Sequence, residues 1–205
     1  MSNNHLIYTN ELSDLLLTNI DDESTFNQLI LNGADINYQN SYGWSVLFEV
    51  VVTKNTNRLK DILNLGVDLS QRDKNGRNAL FWAIYSKNHE AFGILVSKNI
   101  DLQVHLKDQL HALHYSIYKN NLEFIDILLS KKVDINFSDH LGANALFYVI
   151  LYKHFDLIDY LLEKGANKYQ MDMFGNSAYS LAKEYGIENL LKINLKEKEW
   201  KIYLL

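Results

Sequence analysis

The chain has 205 residues, 47% of them hydrophobic, a formal charge of −5, and neither cysteine nor proline. That length suits one compact domain or one short solenoid with ample core material. The missing cysteine excludes disulfides, thiolate catalysis and Cys-based metal sites, and the acidic balance opposes general binding to nucleic acid or anionic membranes.

No apolar run is long enough to span a bilayer. The opening Met1-Ser2-Asn3-Asn4-His5 lacks the basic and apolar segments of a secretory signal. A cytoplasmic protein is therefore expected, and the abundance of Asn, Lys, Ile and Tyr points to an AT-rich bacterial genome.

The first helical copy, from Glu11 to Leu31, has no turn motif and reads as an N-terminal cap over residues 11–39. It closes on Gly33-Ala34-Asp35-Ile36-Asn37, an ending that echoes every thirty-three residues. The echoes are Gly66-Val67-Asp68-Leu69-Ser70, Asn99-Ile100-Asp101-Leu102-Gln103, Lys132-Val133-Asp134-Ile135-Asn136 and Gly165-Ala166-Asn167-Lys168-Tyr169. Leu47, Leu80, Leu113, Leu146 and Tyr179 keep the same step. A constant period of this length means stacked copies of one small unit. Full copies occupy 40–72, 73–105, 106–138 and 139–171, and a C-terminal repeat with its cap occupies 172–205.

Within the fourth copy, Asp139-His140-Leu141-Gly142 predicts a turn, with Gly142 able to take a positive φ. Asn144 is placed to cap a helix, and Ala145 to Tyr152 carry apolar residues at helical spacing. A second helical stretch opens at Asp156 and ends at Gly165. Ser45, Asn78, His111, Asn144 and Ser177 hold the cap position in successive copies. The third turn departs from the pattern. Gln109 replaces the turn glycine and Leu106 the Asp or Asn that opens the other turns, so a different loop shape is expected from Val104 to Leu110.

Each helix pair is too small to bury its own apolar face, and stacking supplies the cover. Ser45-Val46-Leu47-Phe48-Glu49-Val50, Asn78-Ala79-Leu80-Phe81-Trp82-Ala83, His111-Ala112-Leu113-His114-Tyr115-Ser116 and Asn144-Ala145-Leu146-Phe147-Tyr148-Val149 resemble the ankyrin repeat, with its T-P-L-H-x-A pattern at this period. The resemblance runs from about residue 11 to residue 194. The family's proline is replaced by Val46, Ala79, Ala112, Ala145 and Ala178, and its histidine survives only as His114, so apolar contacts are expected to carry more of the stacking. The resemblance implies an all-α ankyrin-repeat solenoid of helix–turn–helix units with projecting turn fingers. It also implies a protein-binding role without catalysis, in a chain that is monomeric when free.

Projected onto this chain, the resemblance implies a partner-binding surface of fingers and first helices. The fingers supply Tyr42 and Trp44, then Lys74, Asn75 and Arg77, then Lys107, Asp108 and Leu110. His140 and Leu141 follow, and Phe174 belongs to the last finger. The groove ends of the first helices add Tyr85, Tyr118, Lys119, Tyr152 and Tyr185. Trp82 heads a ladder with Tyr115 and Tyr148, which reads first as stacking between copies and second as the groove floor. Aromatic anchors concentrate binding energy. Lys74, Arg77, Lys107 and Lys119 make the surface mildly basic, so the expected partner is a protein with acidic and apolar groups, not nucleic acid or a membrane.

His105, His111 and His114 are close in sequence, but no cysteine or carboxylate cluster completes a first shell, and no metal or cofactor is expected. Nucleophile-elbow, phosphate-loop and zinc-protease patterns are missing, so no catalytic residue is assigned. The apolar end Trp200-Lys201-Ile202-Tyr203-Leu204-Leu205 is expected to pack on the last helix pair. Among ankyrin-like proteins, a small chain that is almost all repeat resembles an immunity protein or inhibitor neutralising a toxin of its own cell. The alternative is an effector or a cytoplasmic adaptor gripping a host or regulatory protein.

Overall fold

In a computed structural model of the chain, residues 2–106 and 109–192 are described, residues 2–8 by backbone alone. The described residues form helices joined by turns, and an isolated bridge links Met171 to Ser177. The chain divides into two compact units, Met1–Lys107 and Asp108–Leu205. The division falls in the third turn, where the sequence departs from its own pattern. Trp200 to Leu205, expected to pack on the last helix pair, lie outside the described residues.

The N-terminal unit contains α1 (Ser2–Thr18), α2 (Glu23–Leu31), α3 (Val46–Val52), α4 (Thr56–Asn64), α5 (Ala79–Tyr85) and α6 (His89–Ser97). The C-terminal unit contains α7 (Ala112–Tyr118), α8 (Leu122–Ser130), α9 (Ala145–Leu151), α10 (Ile158–Glu163) and α11 (Ala178–Glu184). Short 3-10 turns at Phe155–Leu157 and Glu188–Leu191 complete it. The helix called α1 begins at Ser2, well before the expected Glu11.

The first helix of each full repeat has seven residues, about two turns. Isolated helices shorter than ~12–15 residues are marginal in water, so packing must hold these. Accordingly α3 packs on α5 in one unit, and α9 lies between α7 and α11 in the other. Leu47, Leu80, Leu113 and Leu146 are all buried. Each such side chain contributes about 1.5–3 kcal/mol on burial.

The expected caps occupy the N-cap positions. The Asn78 side-chain oxygen accepts from the Leu80 and Phe81 amides, Asn144 accepts from Phe147, and Ser177 from Ser180. Ser45 is the exception, because its hydroxyl makes no cap bond. The two asparagines have a further use. The Asn78 amide donates to the Asp101 carbonyl at 3.0 Å, and Asn144 donates to the Asn167 carbonyl at 2.9 Å. One side chain thus starts the first helix of its repeat and fastens the loop that closes the same repeat. Asn37 and Asn136 work the other way, accepting from the Asp68 and Asn167 amides thirty-one residues on.

A second series of caps opens the second helices. Asn55, Asn88 and Asn121 accept from the Arg58, Ala91 and Phe124 amides. His154 stands next in that series and makes no side-chain cap bond. The fourth second helix therefore starts as the 3-10 turn Phe155–Leu157, and α10 begins at Ile158 instead of Asp156.

At the N-terminal end, Arg58 is buried. Its Nε donates to the Ile20 carbonyl at 2.8 Å, its guanidinium lies 4.2 Å over the Phe26 ring, and Asp61 pairs with it at 3.3 Å. These contacts tie α4 to the α1–α2 pair.

The turns share a side-chain acceptor. Asn40, Asp73, Asp139 and Asp172 each accept from the backbone amides two and four residues on. Two turn glycines also meet the next turn's backbone. A Cβ on Gly142 would lie 2.9 Å from Asp172 Cα, and one on Gly43 would lie 3.0 Å from the Lys74 amide nitrogen. In the third turn Leu106 has no oxygen to offer. Gln109 nevertheless adopts φ +59°, in the left-handed region used by Gly43, Gly76, Gly142 and Gly175. The new shape expected for this loop is not seen at Gln109, whose backbone follows the repeat at an energetic cost for a residue with a Cβ. Leu106→Asp with Gln109→Gly should raise the stability of the full chain by about 1–2 kcal/mol. Chemical denaturation measures this, and an unchanged midpoint would show that the turn contributes nothing.

Candidate functional site

Residues at the turn tips and at the C-terminal ends of the first helices lie beyond the stretch of each helix that its neighbours cover, and so escape the core. In the N-terminal unit, Tyr42 at the first tip is 77% exposed and Tyr85 at the end of α5 is 51% exposed. Lys74 and Asn75 are exposed on the second finger. These four are available to a partner.

Three other expected contact residues form a packed aromatic cluster. Trp82 is only 8% exposed. Trp44 meets it edge-on at 4.6 Å, and Tyr85 does so at 5.5 Å. The Arg77 guanidinium lies 4.2 Å over the Trp82 ring and is held by Asp73, whose Oδ2 accepts from Arg77 Nε at 2.6 Å. Trp44 is half-buried and its indole N–H donates to Glu49 at 2.6 Å. Trp82 is thus a core residue, which corrects its assignment to the binding surface. Trp44 and Arg77 are held mainly by the protein itself. Edge-on rings and a cation over the indole are what two aromatic-rich repeats in contact produce.

In the C-terminal unit the exposed set is larger. Tyr118, Tyr152 and Tyr185 stand exposed at the ends of α7, α9 and α11. Lys119 is half-buried, with its Nζ 5.4 Å over both the Tyr115 and Tyr118 rings. Tyr118 and Tyr152 are 5.2 Å apart. Burial, followed by the neighbouring Tyr118, raises the Tyr152 pKa above the ordinary tyrosine value. On the fingers His140 and Leu141 are exposed and Leu110 is half-buried, while Phe174 is 72% exposed. Lys107 and Asp108 lie outside the described residues.

Residues missed from the sequence lie just before the last finger, where Met171 and Tyr169 are exposed; Met173, expected on that finger with Phe174, is exposed as well. The signal of Met171 and Tyr169 was apolar type on the flanks of a turn, which the repeat pattern alone hides. Another missed set is Lys54, Lys87 and Lys153, left-handed residues just after the first helices. Their one-repeat spacing was visible, Asn120 filling the intermediate position.

The ladder members Tyr115 and Tyr148 are half-buried. Tyr148 donates from its hydroxyl to Asp139 at 2.6 Å, and its ring lies 4.9 Å from His114. His114 is buried; its Nδ1 accepts from the His111 amide at 3.2 Å, so the pair completes a reciprocal cap. Burial, then nearby His111, pushes the His114 pKa down to about 4, against the pull of Asp139 and a hydrogen bond with the Phe137 backbone. Among the described residues, no group of three or more His, Asp or Glu is arranged to hold a metal ion.

A family model described as "Ankyrin repeats (3 copies)" matches residues 16–108 and again residues 101–172. No curated protein matches the chain closely enough to stand as a relative. Among the described residues, no helix is long and apolar enough to cross a membrane.

Two outcomes follow from this geometry. His114 takes up its proton near pH 6.5 when unfolded but only near pH 4 when folded. The unfolded state therefore binds more protons in that window, and stability falls as pH drops through it, by about 3 kcal/mol in all. His114→Phe, the residue type at Phe48, Phe81 and Phe147, should flatten the dependence in urea titrations at stepped pH; an equal slope would overturn the assignment. For the aromatic cluster, Trp44→Ala should destabilise by about 2 kcal/mol and Tyr85→Ala by less than about 0.5 kcal/mol. Equal losses by chemical denaturation would move Tyr85 into the core.

Proposed function

Because the chain belongs to the ankyrin-repeat family, whose members are generally protein–protein interaction modules, we propose that it is a non-catalytic binding protein that acts by occupying another protein. The supporting observation is the exposure of large anchors on ordered helix ends and turn tips. Tyr42 and Tyr85 offer them in the N-terminal unit, and Tyr118, Tyr152, Phe174 and Tyr185 in the C-terminal unit. Aromatic side chains bring large contact area with few rotatable bonds, so little entropy is lost on docking.

In this reading the role is that of an immunity or inhibitor protein, a cytoplasmic neutraliser of a toxin with acidic and apolar groups at its contact surface. Stoichiometric occupation needs an anchor-rich surface, and the exposed tyrosines and Phe174 would supply its anchors. Free chain is monomeric, and its complex is one to one.

The test is co-expression with proteins of the source cell, followed by capture of the full chain and a toxicity assay. A stable complex that abolishes the toxicity of its partner is expected. Tyr42→Ala with Tyr85→Ala, or Tyr118→Ala with Tyr152→Ala, should weaken that complex at least about tenfold. Stable complexes formed only with proteins of a host cell would replace the inhibitor by an effector. Turnover of a substrate by the isolated chain would overturn the binding role itself.

A further inference from the structure

The ends of the first helices in the C-terminal unit carry a chemistry more specific than exposed aromatic surface. Tyr118, Leu151, Tyr152 and Tyr185 are all exposed there. Ring contacts make part of the strip continuous: Tyr115 stacks on Tyr118 at 5.8 Å, and Tyr118 meets Tyr152 at 5.2 Å. Two lysines are drawn across these rings. Lys119 Nζ lies 5.4 Å over Tyr115 and Tyr118, and Lys153 Nζ lies 5.9 Å over Tyr185. His154 adds a ring 6.2 Å from Tyr152, and the carboxylate on these helix ends is Glu184.

An ammonium lying against aromatic faces is partly stripped of water and held near one position. An incoming carboxylate then meets a cation in a medium less screening than bulk water. The neighbouring phenol of Tyr152, held protonated by burial and Tyr118, has a hydroxyl hydrogen to donate to the same group. Apolar side chains would find the tyrosine rings and Leu151 between the cations. On the second helices, Asp126 accepts from the Tyr160 hydroxyl and pairs with Lys164 at 3.8 Å.

We propose that Tyr118, Lys119, Tyr152, Lys153 and Tyr185 form a docking strip for an extended segment of a partner protein in which carboxylates alternate with aromatic or large aliphatic side chains. This deepens the protein-binding reading above and rests on it. Neighbouring packed helices lie ~8–10 Å apart, so crossing from α7 to α11 covers about 20 Å. At ~3.3 Å per residue, an extended segment of about six to ten residues suffices.

The probe is a fluorescently labelled peptide of about ten residues alternating Glu with Phe and Leu, titrated with the full chain. A Lys-for-Glu peptide and a single-stranded oligothymidylate of the same charge serve as controls. The acidic peptide should bind about tenfold more tightly than the lysine peptide, and less tightly as salt rises. Lys119→Gln with Lys153→Gln should remove most of that preference. Lys119→Glu with Lys153→Glu should invert it, an outcome that loss of folding cannot mimic. Lys54→Gln with Lys87→Gln, in the other unit, should leave it unchanged. Equal binding of the two peptides, or an unaltered preference in the Lys119 and Lys153 variants, overturns the strip. Tighter binding of the oligonucleotide than of the acidic peptide assigns the strip to nucleic acid instead. A cognate protein whose capture depends on Tyr42 and Tyr85 but not on Lys119 and Lys153 overturns the strip while leaving the protein-binding reading intact.

Discussion

A seven-residue helix cannot stabilise itself, and nearly everything else in this chain answers that constraint. Two turns of α3, α5, α7 or α9 close few backbone hydrogen bonds against the entropy of ordering them. Stability must come from the faces that meet, and α9 with α7 on one side and α11 on the other shows how. Burying Leu146 or Val149 needs a neighbour at one fixed register. Polar side chains that cross from one repeat to the next supply that register. Buried Asn88 donates to the Val51 carbonyl, and half-buried Gln39 and Gln170 donate to the Arg72 and Asn136 carbonyls. A slipped stack would strand these polar groups without partners, at about 1–3 kcal/mol each.

Features that arise within one repeat were legible in the sequence. Caps at Asn78, Asn144 and Ser177, turn glycines and apolar spacing depend on local backbone chemistry, and all agree with the structure. The asparagines that start the second helices were equally regular, at Asn55, Asn88 and Asn121, yet they need the position of the helix before their capping role is apparent. The start of α10 was misplaced for the same reason, since a histidine in that series only matters once its neighbours are known to cap. Gln109 erred in the opposite direction. Its side-chain type argued for a new loop shape, but the surrounding fold imposed the old φ.

The binding surface was less legible because aromatic type does not distinguish packing from presentation. Trp44, Trp82 and Tyr85 look alike as candidate anchors. Their fates diverge because Trp82 projects from the middle of α5 and is covered by Trp44 and Arg77, whereas Tyr85 ends the helix where cover stops. The useful distinction is position along the helix. Mid-helix aromatics such as Trp82 and Tyr148 join the packing, and terminal ones such as Tyr118 and Tyr185 stay open.

The same helix ends explain a peculiarity of the backbone. Two sets of positions take left-handed φ at one-repeat spacing. After the second helices the set is Gly33, Gly66, Asn99, Lys132 and Gly165, while after the first helices it is Lys54, Lys87, Asn120, Lys153 and Gly186. Both demand the conformation that glycine adopts freely, yet the second set is mostly lysine. A left-handed lysine costs about 1–2 kcal/mol. A cation beside the last carbonyls of a helix recovers about 0.3–1 kcal/mol of that. The balance stays unfavourable, so helix electrostatics alone does not account for lysine there. What lysine supplies and glycine cannot is a long cationic arm at the edge of the exposed tyrosines, as Lys153 does over Tyr185. At Lys153 the strained backbone thus carries a cation to the face of an exposed tyrosine, which a glycine in the same conformation could not do.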